Sequence, residues 1–156
     1  MMIALKKILV ASDFSKPSDI ALKYGKGLAE AFGASLHVLH VMEDVVAHAW
    51  AAEVYVASLP GLHEEMEKAA RERLGQVLTA DEREKFRAEV VLRTGTAFVE
   101  IIGYAKSENA DLIILGTHGR GAIAHMMLGS VAEKVVRKAP CPVLTVRESQ
   151  HEFVMP

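Results

Sequence analysis

An α/β fold built on an open, five-stranded parallel sheet with helices on both faces is the expectation for this 156-residue chain. Three observations lead there. Short apolar runs alternate with stretches of helical periodicity along the whole sequence. The apolar runs show no in–out alternation, the pattern of strands covered on both sides. Each interval between runs holds a helical stretch, and parallel neighbours require such crossovers. The length suits one domain with one core, and 51% of the residues are hydrophobic, enough to fill it.

The first strand is expected over Lys6 to Ser12, with Ile8-Leu9-Val10-Ala11 at its heart. It leaves through Ser12-Asp13-Phe14-Ser15. Ser15 or Ser18 is placed to cap the following helix, and Pro17 suits its first turn. Ile20, Ala21, Tyr24, Leu28, Ala31 and Phe32 recur at helical spacing and form its inward face. Gly25 and Gly27 weaken that helix, each by roughly 0.5–1 kcal/mol relative to alanine, which points to close packing on the sheet. Gly33 is the expected left-handed terminator. Ser35 to Val41 is the second strand.

Met42 to Gly61 is ambiguous, with a helix expected over Val45 to Val54 and a role as a ligand flap or as an embellishment on the body. Leu62, Met66, Ala69, Ala70, Leu74 and Val77 then give an apolar stripe, and the charged residues between them a solvated face. A third strand is expected from Phe86 to Arg93. Thr94-Gly95 turns the chain, Thr96 caps, and Phe98, Val99, Ile101, Ile102 and Ala105 face inward. Leu112 to Leu115 is the fourth strand. Ser130 heads the last helix, with Val131, Ala132, Val135 and Val136 inward. Pro140-Cys141-Pro142 stops it before the fifth strand, Val143 to Val146. Residues 1–147 read as the domain and 148–156 as a tail.

The most polar and glycine-rich strand exits are those of strands one and four, at Asp13 and Gly116. Ligands of open parallel sheets bind beyond the carboxyl ends of the strands, where the strand order reverses. If these two strands flank the reversal, the order is 3-2-1-4-5. After strand four comes Gly116-Thr117-His118-Gly119-Arg120-Gly121, then a short apolar passage, then Gly129-Ser130 and a helix. Glycines let backbone N–H groups approach a ligand, and a helix start adds unpaired donors and partial positive charge. The combination suits an anion, above all phosphate. The spacing is G-x2-G-x9-G-S, neither the dinucleotide fingerprint nor a P-loop.

With Lys+Arg at 18 and Asp+Glu at 20, a net charge of −2 gives no basic face for nucleic acid. No apolar run approaches the roughly 18 residues of a membrane span, and the first residues do not resemble a secretory signal. A lone Cys141 cannot form an internal disulfide, which favours a reducing cytoplasm. Its thiol has nothing nearby to activate it and reads as structural. His37 and His40 fall on opposite faces of strand two and cannot chelate one ion together.

The glycine spacing, the Ala11-Ser12-Asp13-Phe14-Ser15 exit and the run Ala139-Pro140-Cys141-Pro142-Val143-Leu144-Thr145-Val146-Arg147 resemble the universal stress protein family, in its ATP-binding branch. The likeness spans Lys6 to Arg147. It implies an ATP-binding regulatory protein of the stress response, acting through nucleotide-dependent conformation or partner choice. A slow ATPase or phosphotransferase, and a dimeric interaction module without nucleotide, are the alternatives. It further implies a ligand site made of Ala11, Ser12 and Asp13 after strand one, Val41 at the end of strand two, Leu115 and Gly116 at the end of strand four, His118, Gly119 and Arg120 in the loop, and Gly129, Ser130 and Val131 at the helix start. Asp13 would meet the nucleoside, the Val41 backbone the adenine, and the glycine loop the phosphates. Any Mg²⁺ would arrive with ATP, held mainly by phosphate oxygens. No catalytic base or resident metal is expected.

Strand five, Pro142 to Val146, would be an edge in the proposed order. An unpaired apolar edge invites pairing, and family members commonly dimerise through it, so a homodimer is expected. An unidentified protein partner is a further expectation; nucleic acid and membrane are not.

Overall fold

The computed structural model describes residues 3–43, 60–117 and 128–148. The expected helix within Val45 to Val54, His118, Gly119, Arg120 and the tail beyond residue 148 lie outside that description. The strands are β1 (Lys7–Ala11), β2 (Ser35–Met42), β3 (Glu89–Thr94), β4 (Leu112–Gly116) and β5 (Val143–Val146). They form one five-stranded parallel sheet in the order β3-β2-β1-β4-β5, as expected. The helices are α1 (Lys16–Phe32), α2 (Pro60–Gln76), α3 (Ala80–Lys85), α4 (Ala97–Ser107) and α5 (Ser130–Lys138).

Both faces of the sheet are buried, which is why its strands read as continuous apolar runs. Ile8 and Val10 of β1 join Leu36, Val38 and Ile114 under α1 and α2. Leu9 joins Leu39, Ile113 and Leu115 under α4 and α5. Alternate residues of one strand thus serve two cores. Ile8, Leu9 and Val10 are all fully inaccessible to solvent.

Of the two candidate caps, Ser15 starts α1: its Oγ accepts from the Ser18 N–H at 3.4 Å. Gly33 ends the helix at φ +65°, its N–H donating to the Ala29 carbonyl. The two internal glycines turn out to be unlike each other. A Cβ on Gly25 would stand 2.5 Å from Val10 Cγ2 and 3.2 Å from Leu36 Cδ1, so glycine is what lets α1 lie against the sheet. Gly27 is exposed and would meet nothing within 4 Å, so close packing does not explain it. Gly25→Ala is therefore expected to destabilise by roughly 1–3 kcal/mol through overpacking. Gly27→Ala is expected to stabilise by about 0.5–1 kcal/mol. Urea unfolding of both variants checks the opposite signs.

Helix α3 was not expected: it falls between the apolar stripe that ends at Val77 and the strand expected from Phe86. Its six residues bury no side chain, so no apolar period announces it. Its start is a capping box: Thr79 Oγ1 accepts from the Glu82 N–H at 3.2 Å, and Glu82 Oε2 accepts from the Thr79 N–H at 3.0 Å. Lys26 reaches Glu82 at 2.6 Å and ties α3 to α1. That hydrogen bond, then the Thr79 N–H, hold the Glu82 carboxyl below its usual value. Phe86 is the helix terminator and a core residue, and β3 begins three residues later.

Several residues expected inward are exposed. Val99 (50%) lies across the helix from Ile101, and α4 packs through Ile101, Tyr104 and Ala105 instead. Val136 (47%) stands outside the pair Ala132 and Val135, which carries α5. Phe32 (43%) is in the last turn of α1, beside Ile3 to Lys6 before the sheet begins.

His37 and His40 do take opposite faces of β2. His37, 3% exposed, pairs through Nδ1 with the Tyr104 hydroxyl at 2.7 Å and links β2 to α4. Burial pushes the His37 pKa down and that of Tyr104 up to about 12, so the pair is held neutral.

Candidate functional site

The strand order reverses between β1 and β4, and their carboxyl ends open into a cleft of about 670 Å³. That size falls in the range of small-molecule sites. Ala11, Ser12 and Asp13 leave β1 into it. Leu39 to Glu43 border it from β2, Leu115 to Thr117 from β4, and Gly129 to Ala132 from the start of α5. Met66 of α2 with Ala97 and Ile101 of α4 add an apolar wall. Nine of the expected site residues therefore share one cavity: Ala11, Ser12, Asp13, Val41, Leu115, Gly116, Gly129, Ser130 and Val131.

The β1 exit is tightly specified. The Ser12 N–H donates to the Leu39 carbonyl at 2.8 Å and continues the β1–β2 ladder. Ser12 and Ser18, both buried, place their hydroxyls 3.4 Å apart. Asp13 Oδ1 accepts from the Ser15 N–H at 3.0 Å. Asp13 is thus a turn residue and a wall of the cleft at once. Phe14 follows at φ +62°, a left-handed conformation that costs a bulky residue on the order of 1–3 kcal/mol. Its ring lies against His40, tilted by 35° with centroids 4.2 Å apart, and the Arg73 guanidinium stands 4.4 Å from its centroid.

The β4 exit shows what surrounds two of the glycines. A Cβ on Gly116 would come within 2.7 Å of Pro17 Cβ and 3.1 Å of the Pro17 carbonyl carbon. The first turn of α1 needs that space. Gly129 sits at φ −58°, ψ 150°, a conformation open to any residue, so backbone strain does not require glycine there. Its N–H donates to the Thr117 carbonyl at 2.6 Å, while the Thr117 N–H donates to the Val146 carbonyl at 2.8 Å. These bonds set the start of α5 beside the end of β4.

Ser130 is the first residue of α5 and not its cap, which is Gly129. The first intrahelical bond runs from the Glu133 N–H to the Gly129 carbonyl at 2.9 Å. The N–H groups of Ser130, Val131 and Ala132 have no acceptor within the helix, and all three residues border the cleft. Helix α4 also begins there, at Ala97, and its cap Thr96 makes no side-chain capping bond. Two helix N-termini thus bring partial positive charge to one cavity. Among the described lining residues there is no lysine or arginine; the ionisable ones are Asp13, His40 and Glu43.

Sequence reasoning missed His40, Thr117 and Met66 as lining residues. For His40 the pointer was its register: Ala11 pairs with Leu39, so Ser12 faces His40 across the sheet. Among the described residues no three His, Cys, Asp or Glu side chains gather as metal ligands, and no helix is long and apolar enough to cross a membrane. Burial pushes the Cys141 thiol above its usual pKa, as suits a structural cysteine.

Fold and cleft together define a doubly wound parallel α/β protein with a ligand-sized cavity at its switch point. The model of the Universal stress protein family matches residues 4–147, and the chain belongs to that family. It is 38% identical over 142 residues to a universal stress protein of Thermus aquaticus, covering 91% of this chain and 98% of the relative. It is 30% identical over 159 residues to Universal stress protein MJ0577 of Methanocaldococcus jannaschii, covering 94% and 98%. The MJ0577 structure superposes with a TM-score of 0.78 over 96% of this chain and all of that one, at 28% identity. The universal stress protein of Archaeoglobus fulgidus in complex with dAMP shares the fold at 22% identity, with a TM-score of 0.63 and coverage of 93% and 99%.

Proposed function

We propose that the cleft binds ATP and that the protein is a cytoplasmic regulator of the stress response, working through nucleotide-dependent conformation or partner choice. One observation carries this reading. A carboxylate suited to ribose hydroxyls, Asp13, and the uncapped first turn of α5, suited to phosphate, border the same cavity. The apolar wall of Met66, Val41 and Ile101 suits a base between them. The Val41 backbone would meet the adenine edge. The N–H groups of Ser130 to Ala132, with His118, Gly119 and Arg120 of the adjoining loop, would meet the phosphates. Mg²⁺ would come with the nucleotide, on phosphate oxygens.

Rapid hydrolysis is not part of the proposal. It needs a positioned water and charge stabilisation at the γ-phosphate. Asp13 Oδ1 is engaged with the Ser15 N–H. His40 Nδ1 lies 2.7 Å from the Ser12 carbonyl. Calorimetric titration with Mg·ATP should give saturable heat near one site per chain, and adenosine should bind more weakly. In a single-turnover assay, γ-phosphate release should be far slower than the roughly 1–100 s⁻¹ of kinases. No heat from ATP would remove the nucleotide; release within seconds would make the protein an ATPase.

We also propose a homodimer through β5. It is an edge strand of the sheet, and Val143 and Leu144 are only half-buried. A two-fold axis would pair residues 142–146 antiparallel with their copy. Light scattering at micromolar concentration should show twice the 17.0 kDa chain mass. A mass that stays at one chain as concentration rises rules the dimer out.

A further inference from the structure

We infer that His40 is a positioning residue for the ligand carboxylate, fixing Asp13 through the backbone of Ser12 and the ring of Phe14. The inference rests on the nucleotide reading of the cleft and adds to it a residue that holds the site in shape. A carbonyl oxygen only accepts, so the 2.7 Å contact between His40 Nδ1 and the Ser12 carbonyl requires the proton on Nδ1. That bond fixes the ring plane and pins the residue before Asp13. The same ring lies against Phe14, the residue after Asp13, with centroids 4.2 Å apart. Asp13 is therefore held on both sides by one imidazole.

The hold matters because of Phe14. Its φ of +62° is a conformation that the chain abandons unless its surroundings impose it. Within the turn itself, the Phe14 N–H donates to Ser12 Oγ at 3.2 Å and the Ser15 N–H to Asp13 Oδ1 at 3.0 Å. Both are bonds within three residues of one another and carry no information from the rest of the fold. From outside the turn, the Leu39 carbonyl and the Ser18 hydroxyl meet Ser12, and the core under α1 and the Arg73 guanidinium meet Phe14, while His40, anchored in β2, touches both Ser12 and Phe14. Without it, Phe14 can relax towards negative φ and the carboxylate swings away from its place in the cleft.

Asparagine places an amide N–H close to where Nδ1 stands, so His40→Asn should keep the bond to Ser12. His40→Leu removes it, and His40→Gln, whose amide reaches towards the Nε2 position, should lose it as well. The first measurement needs no ligand: amide hydrogen exchange of the intact protein, followed by NMR. In His40→Leu and His40→Gln the Phe14 and Ser15 amides should exchange about tenfold faster or more, with Leu9 and Ile114 still protected. His40→Asn should match wild type. Unchanged exchange at Phe14 and Ser15 in both the Leu and Gln variants overturns the inference, whatever the protein binds.

The second measurement is Mg·ATP affinity by calorimetry. His40→Leu should weaken it by about threefold to tenfold, His40→Asn by less than about twofold. In an Asp13→Ala background the Leu substitution should cost almost nothing more, because a residue acting through Asp13 has nothing left to position. Equal losses in the Asn and Leu variants, or a loss that adds fully to that of Asp13→Ala, would also overturn it. If the exchange pattern follows expectation but wild type takes up no ATP, the positioning of the turn stands and the nucleotide reading falls.

Discussion

Replacing Asp13 with alanine is expected to weaken ATP by about tenfold to somewhat over a hundredfold. A hydrogen bond to a charged group contributes about 1.5–3 kcal/mol, and each ~1.4 kcal/mol is a factor of ten. The carboxylate stands at the exit of β1, half-buried in the cleft wall, where the apolar wall and the α5 start leave room for a nucleoside. Its bond to the Ser15 N–H means that alanine also loosens the turn. Asp13→Asn separates the two effects. The amide oxygen can still accept from Ser15, while the charge is gone, so its loss of affinity should fall between wild type and alanine. Calorimetric titration of the three proteins makes the comparison, and equal affinities would take Asp13 out of the site.

Gly116→Val is expected to lose both stability and nucleotide. The added Cβ would press on Pro17 Cβ at 2.7 Å, on the Pro17 carbonyl carbon at 3.1 Å and on the Ser18 nitrogen at 3.3 Å. Two of these are backbone atoms of the first turn of α1 and cannot step aside as the end of a flexible side chain can. Overpacking of this kind costs roughly 1–3 kcal/mol, about 2–4 °C in Tm for each kcal/mol in a chain of this size. The displaced turn carries Ser15 and Ser18, which anchor the β1 exit. ATP affinity should therefore fall well beyond what the stability loss explains at temperatures where the variant is folded. Thermal unfolding and titration of the same sample decide it. A variant with wild-type Tm would mean that α1 and β4 do not meet as described.

The sheet was legible because both of its faces are covered. Ile8 to Val10 and Leu112 to Leu115 are apolar without a break, and only a strand buried on two sides needs that. Strand order was legible through chemistry instead of periodicity: Asp13 and Gly116 mark the two exits that flank the reversal. Helix α3 was not, since ADEREK buries nothing and its one sign, Thr79 with Glu82, was overlooked. Gly25 could be recognised as an anomaly in α1, but that it packs on Val10 and Leu36 while Gly27 meets nothing depends on side chains of β1 and β2.

The site divides the same way. Asp13, Ser130 and Val131 could be located because strand exits and helix starts leave marks in the sequence. Gly116 could be placed in the wall of the cleft, but its packing role, a missing Cβ that makes room for Pro17, depends on the start of α1 lying beside it. His40 carries no such mark, because a single imidazole has no spacing to betray it. Its role emerges only when β1 and β2 are set in register and Ser12 comes opposite.

The central claim, a nucleotide at the carboxyl edge of the sheet between β1 and β4, is tested most directly by titrating Mg·ATP into ¹⁵N-labelled protein and mapping amide shifts. The account predicts saturable changes at Asp13, Val41, Gly116, Ser130 and Val131, with Lys6, Gly33 and Arg87 at the opposite edge unmoved. Shifts confined to that opposite edge, or none at millimolar ATP, would contradict it.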